Sequence, residues 1–256
     1  MTMITTAPTS DTALLQEFPV ATHAGAAFFC QQLSERGFPD SDHEPRILVA
    51  GCGAGHEAAA IQAYFNATVD AIDVELQVDP QCHNIAKLLV RQASVCELPF
   101  SDENYDAVFY HHVIEHVDDP VRSLVEITRV LRPGGWLFIG TPNRHRLVSS
   151  VGAHKQTQWE ATISNKLSDN WYDWKARLLG KFRNEFGAHA GFSQGELDEM
   201  LAKHYDERIW LTREYLEMKY AEHRLLGLVK LATIPAFRWF SAPSIYVLCR
   251  KGTAQA

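Results

Sequence analysis

Short apolar runs alternate with segments of helical period along most of the chain. Ile47-Leu48-Val49-Ala50 is continuous and uncharged, the pattern of a strand buried on both faces. Three glycines break the run, and Glu57 to Phe65 then reads as an alanine-rich helix. Ala67 to Asp73 is a second strand that ends in an acid. Asp79 to Val90 places Ile85, Leu88 and Leu89 on one side of an expected helix, with Gln92 to Val95 as a short third strand. Asp106 to Tyr110 is a fourth strand. Asp118-Asp119-Pro120 opens a helix with a capping acid and a proline in the first turn. Val121, Leu124, Val125, Thr128 and Leu131 keep its period. Arg132-Pro133-Gly134-Gly135 stops it, and Trp136 to Gly140 is strand five. Ahead of all these, Ala21 to Arg36 is an amphipathic helix closed by Gly37. This alternation predicts an α/β fold with a largely parallel sheet.

Beyond residue 145 the pattern loosens. Trp171, Trp174, Leu178 and Phe182 form an apolar helical stripe with Lys175, Arg177, Lys181 and Arg183 nearby. The preferred reading is a helix packed on the core; a lid or a membrane-surface helix are the alternatives. Ser193 and Glu196 make a capping box for a helix over residues 193–201. Strand six is placed at Arg208 to Thr212 and strand seven at Ser244 to Cys249. Residues 225–240 are strongly apolar and read as a hairpin. One domain is expected overall, in four stretches: an N-terminal segment and helix (1–40), a ligand-binding core (41–145), a helical insertion (146–190) and a C-terminal completion of the sheet (191–256).

The break after strand one is the point of chemical interest. Gly51-Cys52-Gly53-Ala54-Gly55 joins a strand to a helix, an arrangement that brings backbone N–H groups and a helix N-terminus up to a ligand. Asp73 follows the first glycine by about 20 residues, the distance at which a βαβ unit sets a carboxylate on ribose hydroxyls. A dinucleotide fingerprint would need glycine at position 56, which is His56. That argues against a nicotinamide oxidoreductase, the first rival reading.

Composition narrows the classes. A formal net charge of -7 disfavours duplex DNA or RNA as partner. Five cysteines, scattered and without C-x-x-C spacing, favour a reducing compartment over a disulfide framework or a zinc-cysteine site. No Lys or Arg precedes Arg36, so a secretory n-region is not expected, and the location expected is cytoplasmic, with membrane association left open.

Five features in register carry a resemblance: the G-x-G-x-G turn, the spaced Asp73, Leu98-Pro99-Phe100 before Asp106, Glu115-His116 after strand four, and Leu131-Arg132-Pro133-Gly134-Gly135 before strand five. Together, over residues 46–141, they resemble the class I S-adenosylmethionine (SAM) dependent methyltransferases of the ubiquinone- and menaquinone-biosynthesis type (methyltransferase type 11). The resemblance implies a doubly wound, Rossmann-like sheet of seven mostly parallel strands with an antiparallel last strand, and an inserted helical substrate or lid region. It implies SAM as cofactor, with Gly51, Cys52, Gly53 and Gly55 around it, Asp73 on its ribose, Ser94 and Val95 at its adenine, and the His111 backbone at its amino-acid portion. Ser94 stands where the family often has an acid, which weakens the expected adenine contact.

The activity implied is methylation of a small molecule. A phenolic or quinone-like hydroxyl, or a sugar- or lipid-linked one, leads; nitrogen and carbon acceptors stay open, as does a non-catalytic SAM-binding subunit. A hydroxyl acceptor needs a base, a task that suits histidine. His112, Glu115 and His116 are the catalytic candidates, with three readings: loop support through hydrogen bonds, general base, or ligands of a divalent metal. H-x-x-E-H also matches a metalloprotease signature, but it sits after a sheet strand here. Asn143 and Arg144 are expected at the substrate mouth. A small-molecule substrate is the expected partner, without nucleic acid. Peripheral membrane contact through 171–183 or 225–240 and a homodimer are further candidates.

Overall fold

A computed structural model describes residues 23–39, 43–147, 163–185, 188–221, 234 and 238–253. The elements in order are α1 (Ala24–Ser34), β1 (Arg46–Ala50), α2 (His56–Phe65), β2 (Thr68–Asp73), β3 (Leu88–Gln92), β4 (Tyr105–His111), α3 (Pro120–Val130) and β5 (Leu131–Pro142). They are followed by α4 (Ile163–Leu178), the two-residue strands β6 (Asn184–Glu185) and β7 (Ala188–His189), α5 (Gln194–Leu201), β8 (Glu207–Trp210), α6 (Thr212–Lys219), α7 (Arg238–Ser241) and β9 (Ser244–Arg250).

Seven strands form one sheet in the order β3-β2-β1-β4-β5-β9-β8. β1 pairs in parallel with both β2 and β4, and β9 runs antiparallel to both β5 and β8. Strand order reverses between β1 and β4, so their C-terminal ends open the crevice in which doubly wound sheets bind ligands. The expected seven-stranded, mostly parallel sheet is therefore present.

Alternate residues of the strands feed two cores. Ile47, Val49, Ala107, Phe109 and Phe138 pack with α1 and α2; Leu48, Ala50, Val108, Leu137 and Ile139 pack with α3 and α5. Two motifs of the resemblance have a visible structural cause. Arg129 donates to the carbonyls of Leu98 and Phe100, and Glu126 accepts from Leu98 N–H at 2.9 Å, so α3 clamps the Leu-Pro-Phe turn. Asp106 accepts from the Arg46 backbone at 2.8 Å and from Arg132 at 2.7 Å, which joins β1, β4 and β5 at the end remote from the crevice.

Four expectations are corrected. The helix over Asp79 to Val90 is instead a single 3-10 turn, Pro80–Asn84, and strand three runs from Leu88 to Gln92 rather than from Gln92 to Val95. Asp79 caps the turn and Pro80 starts it, but Lys87 at φ +64° breaks helical geometry, and edge pairing with β2 takes up Leu88 and Leu89. In α3, Val121 and Val125 are exposed; Leu124, Ile127 and Val130 face the core, because the β5 side lies one residue round from the stripe read off the sequence. Of the expected stripe, Trp171, Trp174 and Leu178 are 67%, 48% and 83% exposed and not packed on the core, whereas Phe182 is half-buried against Arg146 and Arg177. The buried position is Asp173, held in an ion pair with Arg146 at 2.8 Å beneath Phe182. The capping box at Ser193 and Glu196 forms as expected. The apolar stretch 225–240 lies almost wholly outside the described residues. No helix among the described residues is long and apolar enough to cross a membrane.

Candidate active site

The site is built on the ends of β1, β2 and β4. Gly51, Gly53 and Gly55 all have positive φ, at 77°, 48° and 87°. Their roles differ. A Cβ at Gly51 would stand 2.2 Å from Val113 Cγ2, so this glycine lets the loop after β4 close on β1. A Cβ at Gly55 would meet Val78 and Cys82 at 3.1 and 3.2 Å. Among the described residues nothing lies within 4 Å of a Cβ built at Gly53, so this exposed part of the turn faces open space.

Four amides of the turn are spent within the protein. Gly51 and Cys52 donate to Ile72 O, Gly53 to the Asp73 carboxylate at 2.9 Å, and Gly55 to Cys52 O. The sequence reading, in which these amides close on the ligand, is thereby changed: the turn supplies shape, and the N–H groups without an intrahelical partner are those of the first turn of α2. Asp73 accepts from Gly53 N–H on one oxygen and from Glu75 N–H at 3.2 Å on the other. Each carboxylate oxygen has two lone pairs, so both remain able to accept a ribose hydroxyl. Ser94 Oγ accepts from Cys96 N–H at 3.2 Å, and Val95 is buried beside it. The Ser94 hydroxyl keeps its proton to donate but loses one lone pair to the local turn.

The residues after β4 make two carboxylate–imidazole pairs. His111 Nδ1 lies 3.5 Å from the carboxylate of Glu57, in the first turn of α2. His112 Nδ1 lies 3.3 Å from Glu115 Oε1, and the Thr141 hydroxyl donates to Glu115 Oε2 at 3.0 Å. His112 adopts φ +55°, which turns the chain out of β4 while its N–H donates to Gly140 O at 2.7 Å. Burial and the neighbouring His111 push the His112 pKa below the usual imidazole value against the pull of Glu115. Burial works to raise Glu115, but its hydrogen bond to His112 and the charges of His112 and His116 carry it below the usual carboxylate value. Glu57 behaves alike: burial raises it, and His111, His112 and His23 outweigh that.

His116 ends a 3-10 turn, Ile114–His116, and is exposed while Glu115 is buried. Among the described residues no three His, Cys, Asp or Glu side chains are grouped to hold a metal ion, so a clamp by His112, Glu115 and His116 is not assembled. Asn143 is buried, with its amide donating to Ala242 O at 3.0 Å. With His145, Ser193, Gln194, Gly195, Thr212 and Ile245 it lines a cavity of about 290 Å³. Arg144 pairs with Glu196 of α5 rather than facing that cavity alone.

Sequence reasoning missed Glu57 and the His111 side chain. It assigned His111 a backbone role only, and Glu57 lies 54 positions away. The signal was the acid in the first helical turn after the glycines, which spacing alone does not connect to strand four.

A family model described as a methyltransferase domain matches residues 48–139. A probable SAM-dependent methyltransferase of Mycobacterium tuberculosis is 37% identical over 98 residues, 38% of this chain and 36% of that protein. A ubiquinone biosynthesis O-methyltransferase of Marinobacter nauticus is 29% identical over 166 residues, 60% of this chain and 66% of that protein. The chain thus spans about a third of the first of these relatives and just under two thirds of the second. The fold is similar to that of geranyl diphosphate methyltransferase in complex with SAM, with a TM-score of 0.51, 17% identity and coverage of 90% of this chain and 85% of that one. The open space at Gly53 and the Asp73 carboxylate at the end of β2 fit SAM. With the sheet order, the glycine turn and these matches in hand, residues 48–139 match a methyltransferase domain, on a fold similar to that of SAM-dependent methyltransferases.

Proposed function

We propose that this chain is an enzyme that methylates a hydroxyl oxygen of a small molecule at the expense of SAM. SAM, when bound, supplies an electrophilic methyl group on a positively charged sulfur. The observation that carries the reading is the meeting, at the ends of β1 and β4, of a glycine turn with open space at Gly53 and two carboxylate-backed imidazoles. The likeness to a protein named an O-methyltransferase supports oxygen as the acceptor atom. Phenolic or quinone-like hydroxyls, or sugar- and lipid-linked ones, lead; a nitrogen or carbon acceptor, or a subunit that binds SAM without turnover, is the alternative.

On this reading Gly51, Cys52, Gly53 and Gly55 shape the pocket, Asp73 holds the ribose, Ser94 and Val95 border the adenine, and the His111 backbone meets the amino-acid end. On the acceptor side, Glu115 fixes the loop after β4 to β5 through Thr141, His112 is kept neutral beside it, and His116 stands at the rim. A neutral imidazole can take a proton, and burial limits competing water. The test is calorimetry with SAM followed by a methyl-transfer assay over a panel of hydroxylated acceptors. Binding and transfer to oxygen are expected; binding without turnover on any acceptor would return the chain to the non-catalytic alternative.

A second reading concerns where the enzyme works. The exposed stripe Leu167, Trp171, Trp174 and Leu178 supports peripheral contact with a membrane surface, since Trp favours the interface and Lys175 and Lys181 lie close by. A homodimer through the same stripe is the other outcome.

A further inference from the structure

We propose that Lys219, the last residue of α6, seats a negatively charged group of the methyl acceptor, so that this enzyme takes a hydroxylated acid in preference to its neutral counterpart. The proposal rests on the O-methylation reading above and names the class of acceptor.

α6 is pinned to β9 at its start. Leu211 N–H donates to Tyr246 O at 2.9 Å, and Tyr246 N–H donates to the Thr212 hydroxyl at 3.1 Å. Tyr215 and Leu216 are buried, and the Tyr215 ring stacks on that of Tyr246 with centroids 3.7 Å apart. Lys219 follows Tyr215 by one helical turn, which puts both side chains on one face. Its ammonium accordingly stands 5.9 Å from the centroid of the Tyr215 ring. Tyr246 in turn meets the His112 ring edge to face, with centroids 6.4 Å apart. Two stacked tyrosines thus lie between the Lys219 ammonium and the imidazole at the end of β4.

The ammonium can be reached and is unpaired. Lys219 is exposed, and the His112 and Glu57 side chains keep 38% and 33% of their surface open. Among the described residues Lys219 pairs with no carboxylate, whereas Arg213 of the same helix is held by Glu217 at 2.8 Å. Glu57 gives its carboxylate to His111 instead. The protein around Lys219 lowers its pKa below the ordinary lysine value, against the pull of Glu57, and its charge is felt in turn by His112. An ammonium open to solvent and yet partly desolvated lies at the rim of a concave surface, where the field is focused on an incoming solute. There a carboxylate or phosphate replaces the lost water with a charge-assisted hydrogen bond.

The sheet order sets this cation apart from the cofactor end. Gly51 and Gly53 follow β1 and Asp73 ends β2, whereas α6 is fixed to β9, beyond β4 and β5. A group held by Lys219 belongs to the molecule that enters from the β5 and β9 side, with its hydroxyl toward His112. The formal net charge of -7 repels an acidic acceptor at long range, so a local cation is what makes such an acceptor the preferred one. A lysine in the last turn also complements the helix dipole. That role acts on stability and does not distinguish an acid from its neutral partner.

The test compares matched acceptors on the full-length chain: 3,4-dihydroxyphenylacetate against catechol, and glycerol 3-phosphate against glycerol. In at least one pair the acid should have a kcat/KM about tenfold or more above that of its neutral partner, carried by KM. Lys219→Gln should abolish that preference, and Lys219→Arg, which keeps the charge, should restore most of it. Calorimetry of the same compounds on the chain loaded with S-adenosylhomocysteine reads the preference as a ratio of Kd without turnover, and the ratio should shrink as NaCl is raised. Where no compound turns over, that ratio decides. No preference for the acid in either pair, or one that survives in Lys219→Gln, overturns the proposal and leaves the O-methylation reading standing. SAM affinity lost in Lys219→Gln with the acid preference intact assigns the lysine to the cofactor's carboxylate, and the proposal falls. A chain that neither binds SAM nor methylates any of the four removes the functional reading, and the proposal with it. Should Lys219→Gln fail to fold, Lys219→Met, which removes the charge and keeps an apolar stem, decides in its place.

Discussion

The Thr141 hydroxyl donates to Glu115 Oε2 at 3.0 Å, and so ties the loop after β4 to the end of β5. Both groups are buried, and His112 occupies the other carboxylate oxygen. Glu115→Ala should therefore cost about 1–3 kcal/mol of stability, since it leaves the buried Thr141 hydroxyl and the half-buried His112 ring without their partner. Urea denaturation of the two proteins measures it; an unchanged midpoint would show that the tie is not maintained in solution.

Acidification should weaken the fold in two stages. His112 has its folded pKa depressed, so its contribution is present above the ordinary imidazole range and is lost as pH falls through the folded value. Glu57 and Glu115 are also depressed, so theirs persists to lower pH and is lost as pH falls through the folded carboxylate values. Thermal melting from pH 8 to pH 3 should show a decline below about pH 6.5, then a steeper one below about pH 4.5. In His112→Asn the first decline should shrink.

Gly51 and Gly53 should respond differently to alanine. Gly51→Ala places a Cβ 2.2 Å from Val113 at φ +77°, and should destabilise the chain by about 1–3 kcal/mol or more. Among the described residues Gly53→Ala meets no atom within 4 Å and should cost only about 1 kcal/mol for its φ of +48°, yet weaken SAM binding by filling the space over the turn. Melting temperature and calorimetry, measured on both variants, separate shape from stability.

Asp73→Ala should weaken SAM binding by about 1–3 kcal/mol, through loss of charge-assisted hydrogen bonds. Unchanged affinity would take Asp73 off the ribose. Because Asp73 also accepts from Gly53 N–H, Asp73→Asn, which keeps an acceptor oxygen, should retain more of the turn's stability than Asp73→Ala.

Trp171→Ser with Trp174→Ser should reduce flotation with vesicles of anionic lipid several-fold and leave the melting temperature near that of wild type, since both rings are exposed. Equal flotation would set the membrane reading aside, and a change in oligomeric state instead would assign the stripe to a second copy.

Local signals in the chain suffice to place most of the sheet and its crevice. Apolar runs of strand length, glycines between strand one and its helix, and the Asp119-Pro120 cap are local signals, and each formed where local chemistry placed it. The third strand was misread because Leu88 and Leu89 suit either period, and pairing with β2 rather than propensity decided between them. Tertiary structure alone decided the rest. It spent the amides of the turn on β2 and Asp73, exposed the tryptophans of α4 while burying Asp173 with Arg146, and set Glu57 against His111. Periodicity reports which residues leave water along one element. It carries no information on which polar atoms from distant elements meet there, and those encounters fix the hydrogen bonds of the site.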